Sequence, residues 1–494
     1  MDDLGTPIIC AHYDLEDALL RENAARMAHE DDGSLSDDDD DPELEDVPPL
    51  SAAHSTSPSM NKQPTPPSTM PLRGLTKKKA DSRRKQRDKR KTATLASLSS
   101  TTPPAPTPQV LEKAAQAEPI RINFAADGFR ATKPRWTGLI QPMVHPLLAH
   151  AHDPEFLKTH LQYTDWDGKK TQVIVDRCGR IIGVLIAPPL PGEEWESVDQ
   201  AATTAMREAR DKMTFPVSAY HHRRSYGDGF PTGSQGFAFG GGRENLGNIK
   251  ASSARNAAAM EELLEDPNIV RMATYPIPPF QAFCYPIFAD YHTTKQVLVR
   301  KNPGLRRTFA RSPFAAVTVN LGPVSVSPPH TDAANKADGM CLIGALRSFD
   351  ANKGGHLVCW DYNLIIRFPP GCSILIPSAV VTHSNTPIQD GEERFSIIQY
   401  TAGGLFRWVA NGFQSDRSWL ASASAEDLAR REEERKARCA DTLKKFPLWK
   451  DVKVRNFSGR GRMEVWDSGD VADFSDLTDC ESEGERPAKR KHQT

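Results

Sequence analysis

Within residues 327–400, a few side chains stand at spacings that could do chemistry together. His330 and Asp332 lie two apart in a run that reads as a strand, 324–330 and its continuation. Strand side chains alternate between faces, so this imidazole and this carboxylate are expected on one wall of a site. His383 follows 53 residues later, in a second apolar run at 379–384. Two histidines and one carboxylate can hold one face of an Fe(II) ion and leave the opposite face open to other ligands.

An open ferrous site needs a supply of electrons, which a dicarboxylic keto acid provides if a cation grips its far carboxylate. Arg394, 11 residues past His383, is the candidate, because a guanidinium stays charged and holds a carboxylate through two parallel hydrogen bonds. Ser396, two residues on, would share its face and add a hydroxyl. Arg394-Phe-Ser396 therefore reads as a 2-oxoglutarate clamp, with molecular oxygen as the other co-substrate.

The elements that must position these groups are short. Eight runs, 314–321, 324–330, 340–347, 356–361, 362–368, 372–377, 379–384 and 394–401, are separated by Gly354-Gly355, Pro369-Pro370-Gly371, Pro377-Ser378 and Asp390-Gly391. Eight is the strand count of a jelly roll. Upstream, 171–187 reads as a hairpin turning at 177–180, and 198–213, 251–264 and 283–299 read as helices that buttress the strands. The expected fold class is α+β, with a jelly-roll core at 314–401 inside a folded domain at 121–415 and the segment 405–413 packed across it.

The order of HxD, a GG-x-L strand, a PPG turn, a distal histidine and RxS resembles the double-stranded β-helix core of Fe(II)/2-oxoglutarate dioxygenases. More narrowly, His330-Thr-Asp332, Gly354-Gly-His-Leu-Val-Cys-Trp-Asp361, Phe368-Pro-Pro-Gly371, Ile376-Pro-Ser378, His383-Ser-Asn385 and Tyr400-Thr-Ala-Gly-Gly-Leu-Phe-Arg-Trp408 are similar to fungal members of the ten-eleven-translocation and J-base-binding-protein branch. The resemblance spans residues 130 to 413. It implies that His330, Asp332 and His383 carry iron and the reaction, that Arg394 and Ser396 bind 2-oxoglutarate, and that the substrate is 5-methylcytosine or a related methylpyrimidine in DNA. Such a base must be extruded from the stack before it can react. A 2-oxoglutarate hydroxylase of a protein or small molecule, and a jelly-roll interaction module without catalysis, are the alternatives.

HxD alone is a weak signal, since His12-Tyr-Asp14 and His29-Glu-Asp31 share it in a polar acidic tail with no strand pattern. The glycine-rich stretch 221–248, with His221-His-Arg-Arg-Ser-Tyr226 at its head, could approach a ligand closely and grip phosphate or stack a base; the plainer reading is a loop. No GK[ST] follows it, which excludes a phosphate P-loop.

Composition bounds the rest. The chain has 494 residues, 38% of them hydrophobic, with 39 prolines and a formal net charge of −2. Mean hydropathy is −0.53, low for a wholly folded chain of this length. Residues 1–115 read as a low-complexity, disordered tail holding a short helical pattern at 14–27, an acidic run at 36–41 and a basic cluster at 77–91. That cluster and Pro487-Ala-Lys-Arg-Lys491 suggest nuclear import machinery as a partner and the nucleus as the location. Residues 424–446 read as a charged helix capped by Ser424 and Asp427, and 467–494 as a second disordered tail. No run approaches a membrane span, and no basic signal-peptide start is seen, so a soluble intracellular protein is expected. Eight cysteines with no CxxC pair suggest free thiols rather than a zinc site or a disulfide framework.

Overall fold

The structure, a computed structural model, describes residues 100–453 apart from 141–143, 190–191, 223, 241–242 and 244, together with residues 44–46. The two N-terminal HxD triplets, the helical pattern at 14–27, the acidic run, both basic clusters and the tail at 467–494 lie outside the described residues.

The chain supplies its strands in order: β1 Leu44–Asp46, β2 Glu118–Arg121, β3 Gln162–Thr164, β4 Gln172–Val175, β5 Ile181–Ile186, β6 Thr232–Ala238 and β7 Gly247–Ile249. Then come β8 Ala316–Asn320, β9 Cys341–Leu346, β10 Leu357–Cys359, β11 Leu364–Ile366, β12 Ser373–Ile376, β13 His383–Asn385 and β14 Phe395–Tyr400. Ten of them form one sheet in the order β1-β7-β6-β8-β14-β9-β12-β5-β4-β2, and four form a smaller sheet, β13-β10-β11-β3. The β2–β4 and β11–β3 pairs are parallel, whereas the pairs that join β8, β9, β12 and β14 are antiparallel. The architecture is α+β.

Burial explains why these runs are strands. In β5 every residue is buried, so Ile181, Ile182, Val184, Leu185 and Ile186 each contribute about 2 kcal/mol of apolar burial. Helix Gly192–Lys212 covers β9, Ile277–Phe283 covers β5 and Ala254–Glu265 lies on β6. The small sheet shows the two-residue period directly. Leu357, Cys359, Leu364 and Ile366 join the main core, whereas Val358, Trp360 and Ile365 face the other way onto Leu157 of helix Pro154–His160 and Leu161, which caps it. The hairpin of β4 and β5 turns where expected, and the Asp176 carboxylate fastens it by accepting from the amides of Ala126, Cys178 and Arg180.

Three expectations are corrected. Residues 324–330 form no regular strand, because Pro328 and Pro329 have no N–H to donate; isolated bridges, Val324 to Arg394 and His330 to His383, stand where a ladder was expected. Residues 378–380 form a turn, so only His383–Asn385 of the second histidine's run is strand. Residues 100–115 belong to the folded body rather than to a tail. The carbonyls of Ser100 and Thr101 accept from His292 Nε2 and Thr293 Oγ1, and helix Pro108–Ala115 buries Val110 and Ala114. Among the described residues no helix is long and apolar enough to cross a membrane.

Candidate metal centre

Backbone pairing brings the two histidines together. The amide of His330 donates to the carbonyl of His383 at 3.0 Å and the amide of His383 returns the bond at 2.9 Å. The imidazoles consequently stand side by side, with centroids 4.4 Å apart. The prolines before His330 hold that segment extended, while the turn after Pro377 swings the chain round to β13 and offers the Ser378 carbonyl to the Asp332 amide at 2.9 Å.

The carboxylate completes the group. Asp332 Oδ1 is 3.9 Å from His330 Nε2, and its Oδ2 is 3.9 Å from His383 Nε2. One ligand atom from each of the three residues lies within 4.8 Å of the other two, a set that could hold a metal ion. The His383 side chain is 6% exposed, against 18% for His330 and 13% for Asp332, so the group is most enclosed at β13.

Hydrogen bonding settles which ring nitrogens are available. A carbonyl oxygen can only accept, so His330 Nδ1 donates to Pro328 at 2.7 Å and His383 Nδ1 donates to Val381 at 3.0 Å. Both Nε2 atoms then present lone pairs to the centre, as metal coordination requires. Burial, followed by the neighbouring His383, pushes the His330 imidazole down to about 3, although Asp332 opposes this. For Asp332, burial raises the carboxyl, but Arg224, His330 and His383 outweigh it and hold the group well below the usual carboxylate range. A neutral imidazole and an ionised carboxylate at neutral pH are the protonation states a cation needs.

Arg224 is the residue the spacing did not reveal. It lies in the glycine-rich stretch, 108 residues before Asp332, and its Nη2 reaches Asp332 Oδ1 at 3.0 Å. Tyr226, from the same turn, stacks on His152 at 3.7 Å. Much of the stretch is not loop at all, because it runs on into β6 and β7.

Arg394 is fully enclosed at 1% exposure. Its Nη1 donates to the Ser325 carbonyl at 2.7 Å, but its Nε and Nη2 have no partner, nor does the buried Ser325 hydroxyl beside it. Among the described residues no carboxylate pairs with this guanidinium. The rings of Phe349 and Phe368 stand 5.8 and 6.0 Å away, and burial lowers the guanidinium to about 10. The residues that hold Arg394, Pro323 and Ser325, lead within a few positions to His330. Ser396 sits in β14 with its hydroxyl accepting from Asn320 Nδ2 at 2.9 Å across the β8 pairing.

No family model matches the chain, and no curated protein matches it. Among solved structures, NgTET1 in complex with 5mC DNA is 13% identical, with a TM-score of 0.32 over 52% of this chain and 89% of that one. JOX2 in complex with 2OG, Fe and JA is 12% identical, with a TM-score of 0.22 over 59% of this chain and 82% of that one. With likeness this slight, the chemistry has to be read from the site's own atoms.

Proposed function

We propose that the chain is an Fe(II)- and 2-oxoglutarate-dependent dioxygenase with a double-stranded β-helix core. The observation that carries this reading is a buried guanidinium with two unused donors, close in sequence to a histidine–aspartate–histidine group. An unpaired buried charge is costly, and a forked donor of this kind matches a carboxylate. His330, Asp332 and His383 would hold Fe(II), and Arg394 would hold the far carboxylate of 2-oxoglutarate with Ser396 alongside. When bound, the metal and keto acid supply the oxidation of an unactivated C–H bond, consuming oxygen and releasing succinate and carbon dioxide.

The protein's own residues prepare that chemistry. Pro328 and Val381 fix the tautomers through their carbonyls, and Arg224 stabilises the ionised form of Asp332. Phe349 and Phe368 keep water from Arg394, which strengthens its grip on an anion. The quoted motifs suggest a 5-methylpyrimidine in nucleic acid as substrate, and the basic clusters at 77–91 and 487–491 suggest the nucleus as the place of action.

Turnover of a methylated DNA oligonucleotide with Fe(II), 2-oxoglutarate and oxygen, read by mass spectrometry of the nucleosides, tests the proposal. Hydroxylated methylpyrimidine with matching succinate supports it. Succinate stimulated by a peptide or metabolite but not by methylated DNA or RNA replaces the nucleic-acid substrate, and failure to bind iron removes the enzyme reading.

A further inference from the structure

Helix Ala425–Asp441 has no buried residue, yet it lies against the body. Within the helix itself no apolar side chain is buried; apolar burial resumes only after it, at Phe446, Trp449 and Val452. Its anchors are cationic: the Arg438 guanidinium sits 3.8 Å from the Trp136 ring centroid and donates through Nε to the Pro134 carbonyl at 3.0 Å. In the turn that follows, Lys445 pairs with Asp290, and with Asp338 at 3.1 Å.

Both anchors bear on one short loop, the residues directly after Asp332: Lys445 directly, through Asp338, and Arg438 through the segment 134–138 that is hydrogen-bonded to it. The carbonyl of Trp136 accepts from the Ala337 amide at 3.1 Å, the Gly138 amide donates to Ala333 at 2.8 Å, and Thr137 bridges to Lys336. Asp338 and Lys336 are buried and paired with each other, and Lys336 also reaches Asp290 at 3.4 Å. Two lysines and two aspartates make this network neutral. Without Lys445, a surplus negative charge would be left under the loop, because the buried Asp338 would keep only one of its two cationic partners. The loop is tied to the ligand by the Asn335 amide, which donates to the Asp332 carbonyl at 2.9 Å.

We infer that Lys445 and Arg438 are positioning residues: the C-terminal charged helix clamps the loop 333–338 and thereby sets the Asp332 carboxylate opposite the two histidines. The effect on metal rests on the reading of Asp332 as a ligand; the clamp itself does not. In this chain, a segment more than 100 residues beyond Asp332 contributes to the geometry of its centre without touching it.

The full chain is compared with Lys445→Met, Lys445→Arg and the milder Arg438→Met by hydrogen exchange of the Asn335, Lys336 and Ala337 amides and by anaerobic Fe(II) titration. In Lys445→Met, exchange of these amides should quicken about tenfold or more while Ile397 in β14 keeps its protection, and Fe(II) affinity should fall on the order of tenfold, as for other outer-shell partners. Lys445→Arg should restore both, and Arg438→Met should show the same pattern more weakly. Unchanged exchange in both methionine variants overturns the clamp. Faster exchange with undiminished Fe(II) affinity overturns its role in placing Asp332. If the parent chain binds no Fe(II), the metal reading fails, and exchange alone decides whether the clamp exists. If Lys445→Met does not fold, Arg438→Met decides by the same measures.

Discussion

His330 and His383, 53 residues apart in sequence, exchange a reciprocal pair of backbone hydrogen bonds at 3.0 and 2.9 Å. This bridge makes one rigid unit of two segments that belong to no common regular strand, and it aims both Nε2 atoms at the Asp332 carboxylate.

The first prediction concerns that unit. Asp332→Ala and His383→Ala should each abolish retention of iron after desalting, a loss beyond the ~10–100-fold that removing an outer-shell partner costs. Metal analysis of the purified variants checks this. Near-stoichiometric iron in either would remove that residue from the ligand set.

The second concerns Arg394. The guanidinium is buried with two unused donors, so Arg394→Met should leave iron binding intact and abolish the stabilisation that 2-oxoglutarate confers. Replacing an uncompensated buried charge by an apolar chain should also raise the stability of the ligand-free protein, by about 1 kcal/mol or more, roughly 2–4 °C in midpoint. Thermal melts with and without 2-oxoglutarate read both effects. A ligand shift that survives in the variant would contradict the clamp role.

A third follows from His356, which is fully buried, with Nδ1 on Thr386 Oγ1 and no partner at Nε2. Burial, then the charge of Lys158, lowers it to about 4 from an ordinary 6.5. The unfolded chain therefore binds a proton that the folded chain refuses between those two values. Stability is complete above about pH 6.5 and falls as the pH drops toward 4, by about 3 kcal/mol in all. His356→Phe should flatten that part of the pH–stability curve, as denaturant melts would show.

A fourth concerns close backbone approach. A Cβ on Gly138 would meet the Ala379 carbonyl oxygen at 1.9 Å and Ala333 Cα at 3.2 Å, between the two turns that flank the centre. Gly138→Ala should cost about 1–3 kcal/mol, with faster exchange at the amide of residue 138, which donates to the Ala333 carbonyl, and at Ala337. A variant as stable as the parent would show that these turns can part without loss.

Much of the scaffold was legible because local signals and tertiary needs agree. Gly179 closes the β4–β5 hairpin at positive φ, and Ser424 with Asp427 forms the capping box its spacing suggests. The hydrophobic runs of β9, β12 and β14 are buried as their composition requires. The strand reading at 324–330 failed at prolines, whose missing N–H stops a ladder whatever the neighbouring residues prefer, and the one at 379–384 failed at a turn in which the Val380 and Val381 amides bond back to the Pro377 carbonyl. Arg224 was beyond reach for a different reason. Its contact with Asp332 joins distant segments, and no period or spacing encodes such a pairing. Similarly, nothing local in Leu44–Asp46 announces that it will pair with β7.

Anaerobic calorimetry on the full chain, with Fe(II) added first and 2-oxoglutarate second, tests the central claim most directly. The account predicts one Fe(II) site lost in Asp332→Ala, then one 2-oxoglutarate site that needs the iron and is lost in Arg394→Met. Absence of both binding events, or both undiminished in the two variants, would contradict it.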